Sequence, residues 1–486
     1  MQGRKQKISQ DSSRQNDRTA SDSYDGAQTY IGMTDNCLME VQFSKEKLLE
    51  QILSPDNLNR AYKQVVSNKG SSGIDKMPTT ALLPWLLVHK EELLSSLYEG
   101  TYRPNPVRRV EIPKDNGKTR PLGIPTVIDR FIQQAILQVL TKIYDPVFSP
   151  SSYGFRPGRN AHQALEKALS CINDGYCYAV DIDLEKFFDT VNQSRLIEML
   201  SRRIKDGRVI SLIHKYLRAG VLVDTHVEVN EAGVPQGSPL SPLLGNIMLD
   251  ELDRELERRG HPFVRYADDG LIFCRSERAA ERTKTSTIAF IESRLYLRVN
   301  QEKTHSGKVT DMKFLGYSFY NYKGEYRLYV HPKSVDKMKA RLKELTSRHN
   351  GMSFESRKTA LNLFIRGWVV YFKLADMQTL IQKTDKWLRR RIRMCIWKSW
   401  KLIKTRFRNL IRCGIDRQRA WAWANTRKGY WHIADSPVLA LSITNEKLRK
   451  TGYVFLIDVY ENIASQIKNR RIPNGTYGGV RGRNGN

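Results

Sequence analysis

Apolar residues recur at helical spacing along the first hundred residues, but only after a polar beginning. Residues 1–42 are rich in Ser, Asp and Gln, a composition that predicts a disordered extension. From Phe43 the pattern changes, and Leu48 and Ile52 begin the first of three helical patterns, the last of which ends near Leu97. The folded part of the chain is therefore predicted to begin at residue 43.

Strand patterns appear in the middle of the chain and are absent after it. Residues 108–125 predict a hairpin around an Asn-Gly turn, and the apolar run over residues 176–182 predicts a buried strand. Residues 263–273 predict two further strands joined by a tight turn. Helical patterns separate these strands, and from about residue 335 the pattern is almost wholly helical.

This order predicts an α+β fold in four parts. The disordered extension over residues 1–42 is followed by a mixed, partly antiparallel sheet with helices over 43–330. An all-α domain is expected over 335–452, and a short basic tail over 453–486.

The charge of the chain narrows the kinds of partner. Lys and Arg number 80 against 51 Asp and Glu, which leaves a net charge of +29. So large an excess favours a polyanion, with nucleic acid first and an anionic membrane surface second. No run approaches the ~20 apolar residues of a membrane span. The six cysteines include no C-x-x-C pair, so a zinc finger is not expected and a reducing compartment is favoured.

Two adjacent carboxylates stand on the turn of the last hairpin, in Tyr266-Ala-Asp-Asp269. Turns are rich in Asp, so this pair alone is weak evidence for a site. However, Asp183 follows the buried strand upstream, and two neighbouring strand ends can bring three carboxylates together. Such a set can hold two Mg²⁺ ions about 4 Å apart for in-line phosphoryl transfer. The pattern therefore predicts a two-metal site that needs no histidine base.

The order of these segments resembles a reverse transcriptase, and most closely the group II intron-encoded reverse transcriptase/maturase family. The segments that carry the resemblance run in the family's order, at residues 114–125, 153–159, 181–189, 233–242, 266–269 and 313–319. The resemblance implies a right-hand polymerase with fingers and palm, followed by an all-α thumb (maturase) domain.

The resemblance also implies roles for individual residues. Asp183, Asp268 and Asp269 match the catalytic carboxylates that bind two Mg²⁺ ions, for which Mn²⁺ can substitute, and the backbone carbonyl of Leu184 would be a further metal ligand. Asp181 is expected to be structural. The residues that match the pocket for the incoming nucleotide are Lys114, Arg120, Phe188, Gln236, Gly237 and Lys303. Among these, Phe188 would exclude a ribose 2′-hydroxyl.

Tryptophan and arginine blocks after residue 335 resemble the thumb region of the same family. Residues 387–409 hold nine Lys and Arg and no acid, which favours a nucleic-acid face, whereas the tryptophans between them are expected to be core. The residues predicted to bind nucleic acid are Arg156, Arg159, Arg389, Arg390, Arg391, Arg393, Lys398 and Lys401. The implied partners are group II intron RNA, an RNA template–DNA primer duplex, dNTPs and target DNA, with no membrane.

The resemblance implies RNA-directed DNA synthesis, assistance to intron splicing, and intron mobility by target-primed reverse transcription in the bacterial cytoplasm, at the nucleoid. Many family members end in an H-N-H endonuclease, but the residues after Gly452 include no Cys or His. No endonuclease is therefore expected, and the primer would come from elsewhere, such as a nascent strand at a replication fork. Two alternatives stay open: a domesticated or CRISPR-associated reverse transcriptase, and a splicing-only RNA-binding maturase.

Overall fold

The structure is a computed structural model that describes residues 47–113, 117, 119–223, 226–228 and 232–470. The extension predicted over residues 1–42 and the last part of the predicted tail, residues 471–486, lie outside these ranges. The described residues fold into sheets and helices up to Val330 and into helices afterwards, which is the order that the sequence pattern predicts.

The strands of the described residues build three sheets. They are β1 (Val107–Pro113), β2 (Thr119–Ile124), β3 (Tyr178–Ile182), β4 (Val221–Val223), β5 (His226–Glu228), β6 (Phe263–Tyr266), β7 (Asp269–Cys274), β8 (His305–Lys308), β9 (Lys313–Phe314), β10 (Tyr317–Tyr322) and β11 (Glu325–Val330). The fingers sheet has the order β2-β1-β4-β5, the palm sheet β6-β7-β3-β8, and the third sheet β11-β10-β9.

Helices cover these sheets and then continue alone. Those before residue 331 are α1 (Leu48–Ile52), α2 (Pro55–Ser67), α3 (Leu82–Tyr98), α4 (Val127–Tyr144), α5 (Ala161–Asn173), α6 (Phe187–Thr190), α7 (Gln193–Arg203), α8 (Gly207–Arg218), α9 (Ser241–Arg258) and α10 (Glu277–Phe290). Those after it form the thumb: α11 (Pro332–Leu345), α12 (Phe354–Tyr371), α13 (Gln378–Ser399), α14 (Ile403–Arg412), α15 (Arg417–Ala424), α16 (Tyr430–Ile433), α17 (Pro437–Ser442), α18 (Asn445–Lys450) and α19 (Leu456–Arg470). Across the described ranges, no helix combines the length and the apolar character that crossing a bilayer requires.

The palm sheet brings two distant strand ends together. Strand β3 lies between β7 and β8 and is antiparallel to both, with Ile182 paired to Gly270. Ala179 is inaccessible to solvent, as expected of a central strand covered on both faces. Continuing the register by one residue places Asp183 opposite Asp269.

Two hydrophobic cores hold the described residues together. The first joins the N-terminal helices to one face of the palm sheet and includes Leu49 and Ile272. The second joins the other face of that sheet to the thumb helices and includes Leu271, Phe273 and Trp397. Alternate residues of β7 thus face different cores, because successive side chains of a strand point to opposite sides. The palm and the thumb therefore share a core.

The predicted basic tail from residue 453 is wrong as far as Arg470. Phe455 and Leu456 are fully buried in the second core, and α19 packs on α12 and α13. The Asp385 carboxylate of α13 accepts hydrogen bonds from the backbone N–H groups of Leu456 and Ile457, each at 3.0 Å. Since the first turn of a helix leaves N–H groups without intrahelical partners, Asp385 caps α19 and fixes it to the thumb.

Candidate active site

A tight turn between β6 and β7 carries the two adjacent carboxylates. Tyr266 pairs with Asp269 across the hairpin, which leaves Ala267 and Asp268 at its tip. Ala267 has a φ of +59°, a left-handed conformation that costs a residue with a side chain about 1–2 kcal/mol. Because the register of β3 sets Asp183 opposite Asp269, the three carboxylates lie at one edge of the palm sheet.

Burial and like charges raise the pKa of Asp269 to about 6. Burial is the largest cause, and the negative charges of Asp268 and Asp183 add to it, while Lys313 and Arg120 partly oppose them. A further positive charge among these carboxylates would relieve the repulsion and favour their ionised form.

The donors at this turn suit a divalent cation. Carboxylate oxygens are the ligands that Mg²⁺ prefers, usually one or two from the protein together with substrate phosphates. Among the described residues, no group of three acidic, histidine or cysteine side chains already stands in metal-ligating positions. Instead, both carboxylate oxygens of Asp183 lie 3.2 Å from the Lys303 ammonium, whose positive charge stands where a metal ion would bind. The carboxylates fit a metal ion once Asp183 exchanges this lysine for it.

Asp181 lies on the same face of β3 as Asp183, one strand repeat further from the turn. Its pKa also rises to about 6, and burial is again the largest cause. The positive charge of His305, its partner on β8, works against the rise. Asp181 therefore lies further from the turn than Asp183 does, and its predicted structural role stays a prediction.

A buried ion pair that the sequence analysis missed supports the turn. Arg265 of β6 donates from Nε to the Asp253 carboxylate of α9 at 2.8 Å, and both side chains are almost inaccessible. Its Nη1 also donates to the carbonyl of Ala267 and to Asn246, each at 2.9 Å. Asn246 donates in turn to the carbonyl of Gly154, where a side chain would overlap the backbone of Ala267. The sequence does contain a sign of this pair, because Arg265 and Asp253 are charged residues at strand and helix positions that are otherwise apolar.

The loop that precedes α9 forms a cavity with β2 and with the residues around Phe188. Gly123 of β2 donates its N–H to the carbonyl of Gln236 at 2.7 Å. Gly237 has a φ of +107°, and a side chain there would press on the carbonyl of Gly123. Phe188 and Gln236 line a cavity of about 310 Å³ at this place. The positive charge of Arg120 of β2 works against the raised pKa of Asp269.

Two further residues predicted for the site are Lys114 and Leu184. Lys114 lies outside the described residues. Leu184 is buried and bridges to Val299, while the N–H of Asn300 donates to the carbonyl of Asp183 at 2.9 Å. These contacts fix the end of β3, and the use of the Leu184 carbonyl as a metal ligand stays a prediction.

The prediction that Arg156 binds nucleic acid is wrong. Its guanidinium is buried, donates to the Asp145 carboxylate at 2.7 Å and donates to the carbonyl of Ser152 at 3.0 Å. Arg159 donates to the same carbonyl at 3.3 Å and lies 5.2 Å from the ring centre of Tyr153. These contacts hold together the loop that carries Gly154. Arg159 is only partly buried, and its binding to nucleic acid stays a prediction.

The arginine run of α13 also faces the protein. Arg390 donates to the carbonyl of Trp431 at 3.0 Å and stacks 3.8 Å from the centre of its ring. Arg391 donates to the Thr346 hydroxyl at 2.6 Å, and Arg393 donates to a backbone carbonyl before α18 at 2.8 Å. Their guanidiniums tie the thumb helices together and remain partly exposed, so binding of nucleic acid by these three residues stays a prediction.

The remaining thumb residues that were predicted to bind nucleic acid make fewer contacts within the protein. Arg389 lies over the ring of Phe455 and is half-buried, and Lys398 donates to a backbone carbonyl at 2.5 Å. Lys401 is exposed. Their binding to nucleic acid stays a prediction.

Helix α14 presents a basic face that the sequence analysis did not single out. Its exposed cations recur every four residues, which places them on one side of the helix. They are Lys404, Arg408 and Arg412. The four-residue spacing of these cations in the sequence could have predicted this basic face.

Comparisons with known proteins identify the class to which this site belongs. Residues 112–319 match the family described as reverse transcriptase (RNA-dependent DNA polymerase), and residues 335–414 match the group II intron, maturase-specific domain. Protein YkfC of Escherichia coli is 33% identical over 327 residues, which cover 58% of this chain and 84% of that protein. The chain belongs to the group II intron-encoded reverse transcriptase/maturase family, so the resemblance drawn from its motifs and the predicted fold class are confirmed.

Other relatives match over a smaller part of their length. The group II intron-encoded protein LtrA of Lactococcus lactis is 41% identical over 210 residues, which cover 43% of this chain and 35% of LtrA. A partial Cas6-RT-Cas1–Cas2 complex contains a chain that is 26% identical, with a TM-score of 0.34, covering 51% of this chain and 42% of that chain. The maturase-specific match favours the intron-encoded class over the CRISPR-associated alternative.

Proposed function

We propose that the chain is an RNA-directed DNA polymerase that uses two Mg²⁺ ions. The observation that carries the proposal is the register of β3 and β7, which sets Asp183 opposite Asp269 with Asp268 beside them. In a chain of this family, carboxylates in this arrangement are the expected polymerase centre.

Asp183, Asp268 and Asp269, with the carbonyl of Leu184, would hold the two ions. When bound, the ions supply charge to the phosphates and lower the pKa of the primer 3′-hydroxyl. The chain itself positions these ligands, because Arg265 fixes the turn and the register of β3 fixes Asp183.

Other residues of the chain bind and orient the nucleotide. Arg120 would pair with the triphosphate, since a guanidinium can bind phosphate through two hydrogen bonds, and Lys114 would add a point charge. Phe188 would exclude a ribose 2′-hydroxyl from the cavity that it shares with Gln236. Lys303, released from Asp183, would neutralise the leaving pyrophosphate.

We propose group II intron RNA, an RNA template–DNA primer duplex and target DNA as the nucleic-acid partners. The net charge of +29 and the basic face of α14 support this set. Binding of the intron RNA would assist its splicing, and copying of that RNA at a DNA target would support intron mobility. The target DNA places this work at the nucleoid of the bacterial cytoplasm.

Primer extension on an RNA template tests the polymerase. Wild type is expected to extend a DNA primer with dNTPs and Mg²⁺, and Asp268→Ala is expected to lose about 10³-fold or more of that activity while keeping intron RNA binding. If wild type binds the RNA but does not extend the primer, the polymerase proposal is wrong and the splicing-only interpretation replaces it. Equal extension by Asp268→Ala would show that the turn is not the catalytic centre.

A further inference from the structure

Lys303 and Asp183 form an ion pair at the edge of the palm sheet where the three carboxylates lie. Both oxygens of the Asp183 carboxylate lie 3.2 Å from the Lys303 ammonium, so the lysine occupies both of them. The Lys303 side chain is 64% exposed and the Asp183 side chain 36%. An ion pair this open to water contributes little to stability, so the ammonium can leave the carboxylate without disturbing the fold.

The backbone around Lys303 is fixed to Asp183 from both sides. The N–H of Asp183 donates to the Thr304 hydroxyl at 3.1 Å, and its carbonyl accepts from the N–H of Asn300 at 2.9 Å. Within this turn, the N–H groups of Lys303 and Thr304 donate to the carbonyl of Asn300 at 3.3 and 2.9 Å. The lysine backbone therefore stays beside Asp183 when the ammonium leaves, and only the flexible four-carbon side chain has to move.

A metal ion and the Lys303 ammonium exclude each other from Asp183. Both are cations that use the same two carboxylate oxygens, and like charges about 4 Å apart repel each other. Of the described residues, Asp183 alone accepts a hydrogen bond from this ammonium. A displaced ammonium therefore has no second acceptor in this part of the chain. The phosphates that commonly share an Mg²⁺ ion with a protein carboxylate would supply one.

We propose that Lys303 is an exchangeable counter-ion, which competes with the metal ion for Asp183 and binds the triphosphate of the incoming nucleotide once it is displaced. The competition weakens metal binding while no nucleotide is present. A triphosphate that takes the ammonium removes the competitor, so nucleotide and metal strengthen each other's binding by the same factor. The metal site is then completed mainly when a nucleotide is bound. The inference rests on the proposed function, because it requires a metal ion at Asp183.

Binding of Mn²⁺ alone, measured by electron paramagnetic resonance without nucleotide or primer, tests the competition. The relevant ion is the one that wild type binds and Asp183→Asn does not. Lys303→Met removes the ammonium but keeps the length of the side chain, and it is expected to lower the Kd of this ion about fivefold. Lys303→Arg keeps the charge and can pair with the carboxylate through two hydrogen bonds, so it is expected to raise the Kd.

Lys313→Met is the matched control, because it removes another lysine charge near the same carboxylates. The positive charge of Lys313 lowers the pKa of Asp269, but within the described ranges Lys313 forms no ion pair with a carboxylate. Its loss is expected to lower the Kd for Mn²⁺ by less than about twofold. The comparison separates occupation of Asp183 by an ammonium from the effect of net charge.

Binding of a dNTP tests the second half of the exchange. The duplex carries a primer that ends in a dideoxynucleotide, so the nucleotide binds with Mg²⁺ present but is not added. Lys303→Met is expected to raise the Kd of the correct dNTP about fivefold, because a charged contact with the triphosphate is lost. The same variant therefore tightens the metal and weakens the nucleotide, which a general loss of structure at this turn would not do.

An unchanged Kd for Mn²⁺ or for the dNTP in Lys303→Met would overturn the inference. An equal gain in Mn²⁺ affinity in Lys303→Met and Lys313→Met would also overturn it and assign the effect to net charge. If wild type and Asp183→Asn bind Mn²⁺ equally, the metal site of the proposed function fails, and the exchange fails with it. Binding of Mn²⁺ that depends on Asp183 but not on Lys303 removes the exchange alone.

Discussion

At the scale of single residues, the pair of Arg265 and Asp253 supports the turn that carries Asp268 and Asp269. The pair is buried, and Arg265 also holds the carbonyl of Ala267, whose backbone is left-handed. Removing one partner of a buried pair leaves an uncompensated charge in the interior, which is more costly than losing the attraction between the two.

Asp253→Ala is therefore expected to lower the free energy of unfolding by about 3–5 kcal/mol. Arg254→Ala, at the next position of the same helix, breaks a half-exposed pair with Asp250 and is expected to cost about 1 kcal/mol or less. Urea unfolding of the two variants measures the difference. Equal losses would show that Arg265 does not need its buried partner.

Phe188 is expected to set the sugar preference of the polymerase. Phe188→Ala is expected to reduce discrimination between dNTPs and rNTPs about tenfold or more, because exclusion by shape is lost. Phe187→Leu is the control, since its ring is buried beside Phe188 and its loss affects packing. Incorporation of dNTPs and rNTPs in competition measures both, and an unchanged preference in Phe188→Ala would remove the proposed role.

Local motif spacing is what singles out the three carboxylates in the sequence, and their catalytic role stays a prediction. Asp183, Asp268 and Asp269 follow strand patterns, and strand register then brings them to one edge of the palm sheet. Arg265 was missed because a long-range ion pair leaves no periodic pattern along the chain. The contacts of Arg391 within the thumb could not be predicted, because a count of cations on a helix does not say which of its faces packs against the protein.

At the scale of elements, the sequence pattern did not predict that helix α19 belongs to the thumb. The resemblance to the family ended near Gly452, and nothing local indicates that Phe455 and Leu456 pack against α12 and α13. The contact that fixes the helix comes from Asp385, about seventy residues upstream. Docking of this kind depends on tertiary structure.

The cap on α19 makes the stability of the thumb depend on pH. Burial raises the pKa of Asp385 from 3.8 to about 6, although the N–H groups of Leu456 and Ile457 oppose the rise. Its stabilising contribution is therefore complete below about pH 4 and is lost as the pH rises through about 6. The unfolding free energy of wild type, relative to Asp385→Asn, is expected to fall by about 2–3 kcal/mol between these limits. Urea unfolding across this range measures it, and a constant difference would contradict the raised pKa.

At the scale of the whole molecule, the net charge predicted a nucleic-acid partner but not the surface that meets it. Much of the arginine run of α13 is used inside the thumb, which leaves exposed cations elsewhere to contact phosphates. The palm and the thumb also share a core, so the carboxylates and the thumb surfaces are held in one framework.

Salt dependence tests the basic face of α14. A triple variant removes its exposed cations: Lys404→Ala, Arg408→Ala and Arg412→Ala. Each cation that pairs with a phosphate contributes about 0.7–0.9 to the slope of log Kd against log salt, so the triple variant is expected to reduce that slope by about 2–3. The control removes three arginines that already form ion pairs: Arg202→Ala, Arg254→Ala and Arg258→Ala. An equal change in both variants would mean that net charge, not this face, determines RNA binding.

The central claim is that Asp183, Asp268 and Asp269 form one polymerase centre, and single-turnover addition of one dNTP tests it most directly. The reaction is measured with Mg²⁺ on an RNA template–DNA primer duplex for Asp183→Asn, Asp269→Asn and the control Asp181→Asn. The first two variants are expected to lose about 10³-fold or more of the rate, while Asp181→Asn stays near wild type because it lies behind the site. If Asp183→Asn or Asp269→Asn keeps the wild-type rate, the two strand ends do not form the polymerase centre.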